Sequence, residues 1–273
     1  MAFGSIIPEI ITVATAAVVL MVAIFLPRDR QHWAGYLALA GLLAATVSTV
    51  PIFAAEPALV FMGTYAYDGF AAFFKLIAFI SAAGAILASM PHFRGHQREG
   101  EVYSLVVFVA LGTVLLAGAA DIMLITIGLV LASITSYILV GYMTHERRSQ
   151  EASLKYFIFG SVSVSTMIYG FTFWYGFSGT TLLYEMPGPL SAASLPLLLT
   201  SVVLILGGLA FKASVAPMHL WVSDVYEGAP TPVTAFISVG PKAAGYAALA
   251  RAFVVGLPEG VGWPLLLAVV AAV

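Results

Sequence analysis

Eight stretches of this chain stay apolar for the length of a membrane-crossing helix: 5–26, 34–53, 69–90, 102–119, 121–143, 152–176, 195–222 and 229–256. An α-helix needs about 20 such residues to span the hydrocarbon core. A ninth stretch begins near Trp263 and runs to Val273. Backbone N–H and C=O groups find no water in lipid, so spanning segments must be helices or closed barrels. These runs are continuously apolar and lack the alternation of barrel strands. The expected fold is therefore all-α, a polytopic transmembrane helical bundle. The composition agrees: 61% of residues are hydrophobic and 9% charged, against about 25% charged in a soluble domain. A soluble enzyme is excluded. The absence of Cys excludes thiolate metal sites, cysteine-held iron–sulfur clusters and disulfides.

The basic residues orient the bundle. Arg28 and Arg30 follow the first segment, Arg94 and Arg98 the third, and Arg147 and Arg148 the fifth. The loops after the second, fourth and sixth segments carry no Lys or Arg. Odd-numbered segments are thus expected to end on the cytoplasmic side, with the N-terminus on the outer, periplasmic side. The first segment has no basic n-region and starts with Glu9, so it reads as a retained helix rather than a signal peptide. No linker or low-complexity tract divides the chain, and residues 1–273 read as a single transmembrane domain.

Most of the 11 Lys and Arg residues lie in those loops or near segment ends. Lys75 and Lys155 are placed to snorkel towards an interface, and Arg251 is near the outer end of the eighth segment. Lys212 and Lys242 remain. Lys212 is about 15 Å from the inner end of the seventh segment at 1.5 Å per residue. Lys242 is similarly deep in the eighth. An embedded Lys costs roughly 2.5–3.5 kcal/mol on insertion scales and is expected to face a bundle interior or hydrated cavity. Both read as sites that take up and release protons; the alternative is a structural ammonium bonded to backbone freed by a proline. Segment 195–222 would be about 42 Å long as a straight helix, longer than the core of about 30 Å. Pro217 removes a backbone donor and clashes with the carbonyl at Ala213, so a break is expected at 213–217. Irregular backbone at that depth is tolerated where it lines a cavity, and broken helices mark ion sites in transporters. His219, two residues further on, is a candidate proton relay. Trp221 and Tyr226 read as interface aromatics.

Thr126, Ser133 and Tyr137 share one face of the fifth segment, and Ser161, Ser165 and Tyr169 share one face of the sixth. Such stripes either pack helices together or line a hydrated proton path.

Residues 208–236, GLAFKASVAPMHLWVSDVYEGAPTPVTAF, resemble the signature of the antiporter-like subunits of respiratory complex I, the proton-pumping NADH:quinone oxidoreductase. The match is best to the N (ND2-type) subunit. Pro241–Lys242 follows at the expected place, and IIPEI, YDGFAAFFK and EASLKYFIFGSVSVSTMIYGFTFWYG resemble the family's first, third and sixth helices. The resemblance implies an antiporter-like fold in which segments 4–8 form one repeat and the seventh helix is discontinuous. It implies proton transfer through Lys212 and Lys242, beside the relay role read for His219 from its place in the sequence. NADH, FMN, iron–sulfur clusters and quinone would be held by other subunits, with no cofactor or metal in this chain. Its partners would be the lipid bilayer and the K-, M- and L-type membrane subunits, with no nucleic acid. The family chain continues for several more helices, so this sequence reads as its first part. One position departs from the pattern. The family's GLELxSLxxY reads here as GLVLASITSY, so Val130 stands where the resemblance places a Glu that pairs with the seventh-helix Lys. Two alternatives follow: a non-pumping structural paralogue in the membrane arm, or an antiporter-like subunit of a cation/proton antiporter or membrane-bound hydrogenase.

Overall fold

The computed structural model describes residues 2–96, 98–258 and 262–272. Helices α1 (Ile7–Phe25), α2 (His32–Thr49), α3 (Gly69–His92), α4 (Glu99–Gly118), α5 (Ile122–Val140) and α6 (Arg147–Ser178) correspond to the first six apolar segments. A short helix, α7 (Pro187–Ser191), lies in the loop that follows. The seventh segment is interrupted: α8 (Leu195–Ala213) ends within it, α9 (Trp221–Gly228) starts at its last residues and runs on to the eighth, and the eighth is α10 (Thr231–Gly256). Helix α11 (Trp263–Ala272) begins the ninth. Among the described residues, seven helices are long and apolar enough to cross a membrane: α1 to α6 and α8. Helix α10 is 26 residues long but is not among them; it carries Lys242 and Arg251.

Apolar periodicity says little about which side of such helices faces lipid. The packing decides it. Helix α4 is the axis, in contact with α1, α2, α3, α5 and α10, and 78% of its most apolar stretch is buried, against 28% for α6. Helix α8 is held between α6 and α10. Gly245 allows the close approach of α10, because a side chain there would run into the backbone of Lys212 and Ala213. Polar starts are capped: Asp121 accepts from the amides of Met123 and Leu124 at 2.7 and 3.1 Å, satisfying donors that the first turn of α5 leaves open.

One element was not foreseen. Between α2 and α3, strands β1 (Ala58–Val60) and β2 (Tyr65–Tyr67) form an antiparallel hairpin. Tyr65 also bridges to Ala119 after α4, so the hairpin folds over the end of the bundle where α3 and α5 begin.

The buried core divides into two apolar clusters. One includes Val114, Tyr137, Phe211 and Ile237; the other includes Leu116, Leu129, Ala210 and Ala244. On α5, Ser133 lies between the two groups, and on α10 so does Lys242. Lys212 follows Phe211 at the same level. The polar side chains thus form a layer between two apolar blocks.

Candidate functional site

Helix α8 ends at Ala213. Ser214 adopts a left-handed conformation with φ 57°, and the Val215 amide bonds back to the Ala210 carbonyl at 2.9 Å. Such a reversal closes a helix C-terminus by satisfying its last carbonyls. The chain stays irregular until Trp221, so the break begins where Pro217 predicts but extends further, to residue 220. Lys212 is in the last turn of α8, where the partial negative charge of the helix end favours a cation.

Lys212 is 2% exposed. Its Nζ donates to Ser133 Oγ at 3.2 Å, joining α8 to the polar face of α5. Tyr137, one turn on along the same face of α5, is also buried. Val130 is one turn before Ser133 and only partly buried. Among the described residues no carboxylate pairs with Lys212. A hydroxyl thus makes the contact that the resemblance assigns to a Glu.

The stripe on α6 is a different matter. Ser165 and Tyr169 are exposed on the outer side of that helix, away from the lysine. Tyr156 and Gly160 are among the residues of α6 that face inward, as are Met167, Phe171 and Trp174. Tyr137 packs edge-on against Tyr156 at 4.7 Å between ring centres, and its hydroxyl occupies the space beside Gly160 that a side chain would fill.

Trp221 and Tyr226 are not interface aromatics. Trp221 is 2% exposed, stacked on Tyr156 at 4.5 Å and tilted against Phe211 at 5.0 Å, so it covers the helix break. Lys242 is half-buried, with its Nζ 5.2 Å from the centre of the Tyr226 ring. His219 sits exposed on the segment between α8 and α9; no side-chain hydrogen bond joins it to either lysine among the described residues.

Two further cations are buried in ion pairs, and one of them departs from the sequence reading. Lys75 does not snorkel: it is fully buried, 2.8 Å from Glu9 Oε1. Arg251 pairs with Asp68 through both guanidinium nitrogens, at 2.8 and 3.0 Å. Burial opposes the charge on Asp68, but hydrogen bonds from Arg251 and the Ala71 amide outweigh it and hold the carboxyl below the usual aspartate range. The only sequence signal for these pairs is that an acid and a base each fall near the same end of their helices. Lys155 is partly exposed and bridges Glu151 at 2.7 Å and Asp224 at 3.0 Å, tying α6 to α9.

Fold and site together define a polytopic helical membrane protein with a buried lysine at the end of a discontinuous helix. Residues 119–273 match the family described as NADH:quinone oxidoreductase/Mrp antiporter, TM, and the chain belongs to that family. It is 40% identical to NADH-quinone oxidoreductase subunit N 2 of Chloroherpeton thalassium over 98% of this chain and 55% of the relative. It is 41% identical to the subunit N 2 of Rhizobium meliloti over 93% of this chain and 53% of the relative. A chain of respiratory complex I from Thermus thermophilus superposes with a TM-score of 0.80 at 31% identity, covering 97% of this chain and 56% of that one. An archaeal membrane-bound sulfane sulfur reductase shares the fold, with a TM-score of 0.85 at 20% identity, covering 100% of this chain and 57% of that one. The chain spans about half the length of the curated relatives it matches.

Proposed function

We propose that this chain forms the first part of an antiporter-like N subunit in the membrane arm of an NADH:quinone oxidoreductase, moving protons through Lys212 and Lys242 while other subunits carry out electron transfer. The observation that carries this reading is Lys212: a buried ammonium at a helix break, bonded to a hydroxyl, between two apolar blocks. Such a group exchanges protons without opening a continuous path. On this reading Ser133 and Tyr137 orient Lys212, Tyr226 faces Lys242, and His219, exposed on the linker, exchanges protons with the inner aqueous side. The chain lies in the cell membrane as one transmembrane domain with its N-terminus outside, as the alternating arginine loops suggest. Its neighbours are lipid and the K-, M- and L-type subunits. NADH, FMN, iron–sulfur clusters and quinone stay on other subunits.

Val130 favours a second reading, a structural member of the arm that does not pump. Protons translocated per electron, measured in the assembled complex carrying Lys212→Ala, separate the two. Loss of pumping with the complex still assembled supports the lysine path and means that it conducts without a carboxylate at position 130. Parent-level pumping supports the structural reading.

A further inference from the structure

At the end of the bundle that carries the α3–α4 and α5–α6 connections, a groove of about 770 Å³ opens between α1, α4 and α5. Its apolar residues are Leu20 of α1, Leu105 of α4 and Ile138 of α5. Its polar residues include Arg98 and Glu101 at the start of α4 and His145 on the connection after α5. The apolar three sit within about 9 Å of their helix ends at 1.5 Å per residue. The groove thus runs from the edge of the hydrocarbon core into the headgroup layer.

The apolar side continues along α4. That helix is buried over most of its length, yet Leu105, Phe108 and Leu115 stay partly exposed. With Glu101 they share one helical face, the face that Leu105 presents to Leu20 and Ile138. Helices α1 and α5 both pack on α4 but make no extended contact with each other. The seam between them has the shape of a single acyl chain, with its charged end at Glu101.

That end is not simply basic. Arg98 Nε and Glu101 Oε1 stand 3.8 Å apart, with the side chains 72% and 30% exposed. The separation exceeds a hydrogen bond, and an exposed pair of this kind contributes little stability. Neither charged group has a closer partner among the described residues. Tyr142 donates to the Arg98 carbonyl at 2.6 Å and so fixes the backbone that carries the guanidinium. A purely anionic guest would meet Glu101, and a purely cationic one Arg98. A guest that carries a phosphate and a primary ammonium side by side satisfies both.

We propose that this groove binds an aminophospholipid of the phosphatidylethanolamine class. The phosphate accepts from the Arg98 guanidinium and from an imidazole N–H of His145. The ammonium donates to the Glu101 carboxylate, and one acyl chain lies along Leu105, Phe108 and Leu115. Charge-assisted bonds at both ends of the headgroup give the site its selectivity. The site is separate from Lys212 and Lys242 and holds whether or not the chain pumps.

The test uses the full-length subunit, stripped of lipid in detergent. Native mass spectrometry follows the binding of phosphatidylethanolamine, phosphatidylcholine and phosphatidylglycerol with matched acyl chains. Phosphatidylcholine keeps the phosphate and the positive charge but has no N–H to give Glu101. One phosphatidylethanolamine is expected to bind per chain, about tenfold more tightly than phosphatidylcholine. Glu101→Gln should erase that preference, and Arg98→Ala should weaken both lipids. Both side chains are solvent-exposed, so neither change removes a buried group. Ile138→Trp leaves the charges in place and fills the seam; it should abolish lipid binding. Equal binding of phosphatidylethanolamine and phosphatidylcholine overturns the proposal. So does tighter binding of phosphatidylglycerol, or displacement of the lipid by millimolar inorganic phosphate. Full binding by Ile138→Trp, or no lipid bound because the remainder of the subunit covers the groove, also overturns it.

Discussion

Replacing Asp68 with Asn removes a charge while leaving a helix cap in place, because Asn and Asp cap about equally well. Asp68 caps α3 by accepting the Ala71 amide at 2.7 Å; its other role is the pair with Arg251. The Arg251 side chain is 4% exposed and that of Asp68 20%. Removing one partner of a buried pair costs about 3–5 kcal/mol, because the other charge is left stranded. Asp68 retains some water contact and Arg251 keeps its bonds to Tyr184 and Ala117, so the low end applies, about 3 kcal/mol for Asp68→Asn. Arg251→Met should cost a similar amount. The double variant should cost no more than about 1 kcal/mol, because it buries no lone charge. Denaturant unfolding in detergent micelles, followed by tryptophan fluorescence, measures all three. The same pair makes a pH prediction. The folded-state Asp68 value is depressed, so its contribution is full above the ordinary aspartate value of about 3.9 and is lost as pH falls through the lower folded value. At neutral pH the pair is intact. If the two single losses add in the double variant to within about 0.5 kcal/mol, the charges are uncoupled and the reasoning is wrong.

The remaining predictions concern the site and its supports. Gly160→Ala should cost about 1–3 kcal/mol through overpacking, because the new methyl group meets the Tyr137 hydroxyl, while Gly176→Ala, with open space around it, should cost nothing; thermal unfolding of the pair distinguishes them. Trp221→Ala should cost about 3–5 kcal/mol and uncover the break between α8 and α9, read as faster backbone hydrogen exchange over residues 214–220. Asp121→Ala removes the cap of α5 and should cost about 1 kcal/mol, with Asp121→Asn restoring stability in the same unfolding assay.

The fold class was legible because the bilayer imposes one rule, a run of about 20 apolar residues per crossing, and because Lys212 and Pro217 violate that rule in one helix. Lys212 and the site of the break are therefore readable from residue order alone. The partner of each charge was not. Along the chain, Lys75 looks like any cation near a helix end, and Glu9 and Tyr65 are 66 and 10 residues away from it in the sequence; only the packing of α1 and α3 under the hairpin brings the three together. Trp221 and Tyr226 misled for a related reason. Amphipathic rings favour both membrane interfaces and wet cavities in the interior, and the choice depends on where the broken helix turns back against Tyr156 and Lys242. The stripes on α5 and α6 each keep to one helical face, yet Ser133 meets Lys212 while Ser165 and Tyr169 face outward. Periodicity tells which residues share a face. Which face turns inward depends on the neighbouring helices, because in lipid an apolar residue is at home on either side.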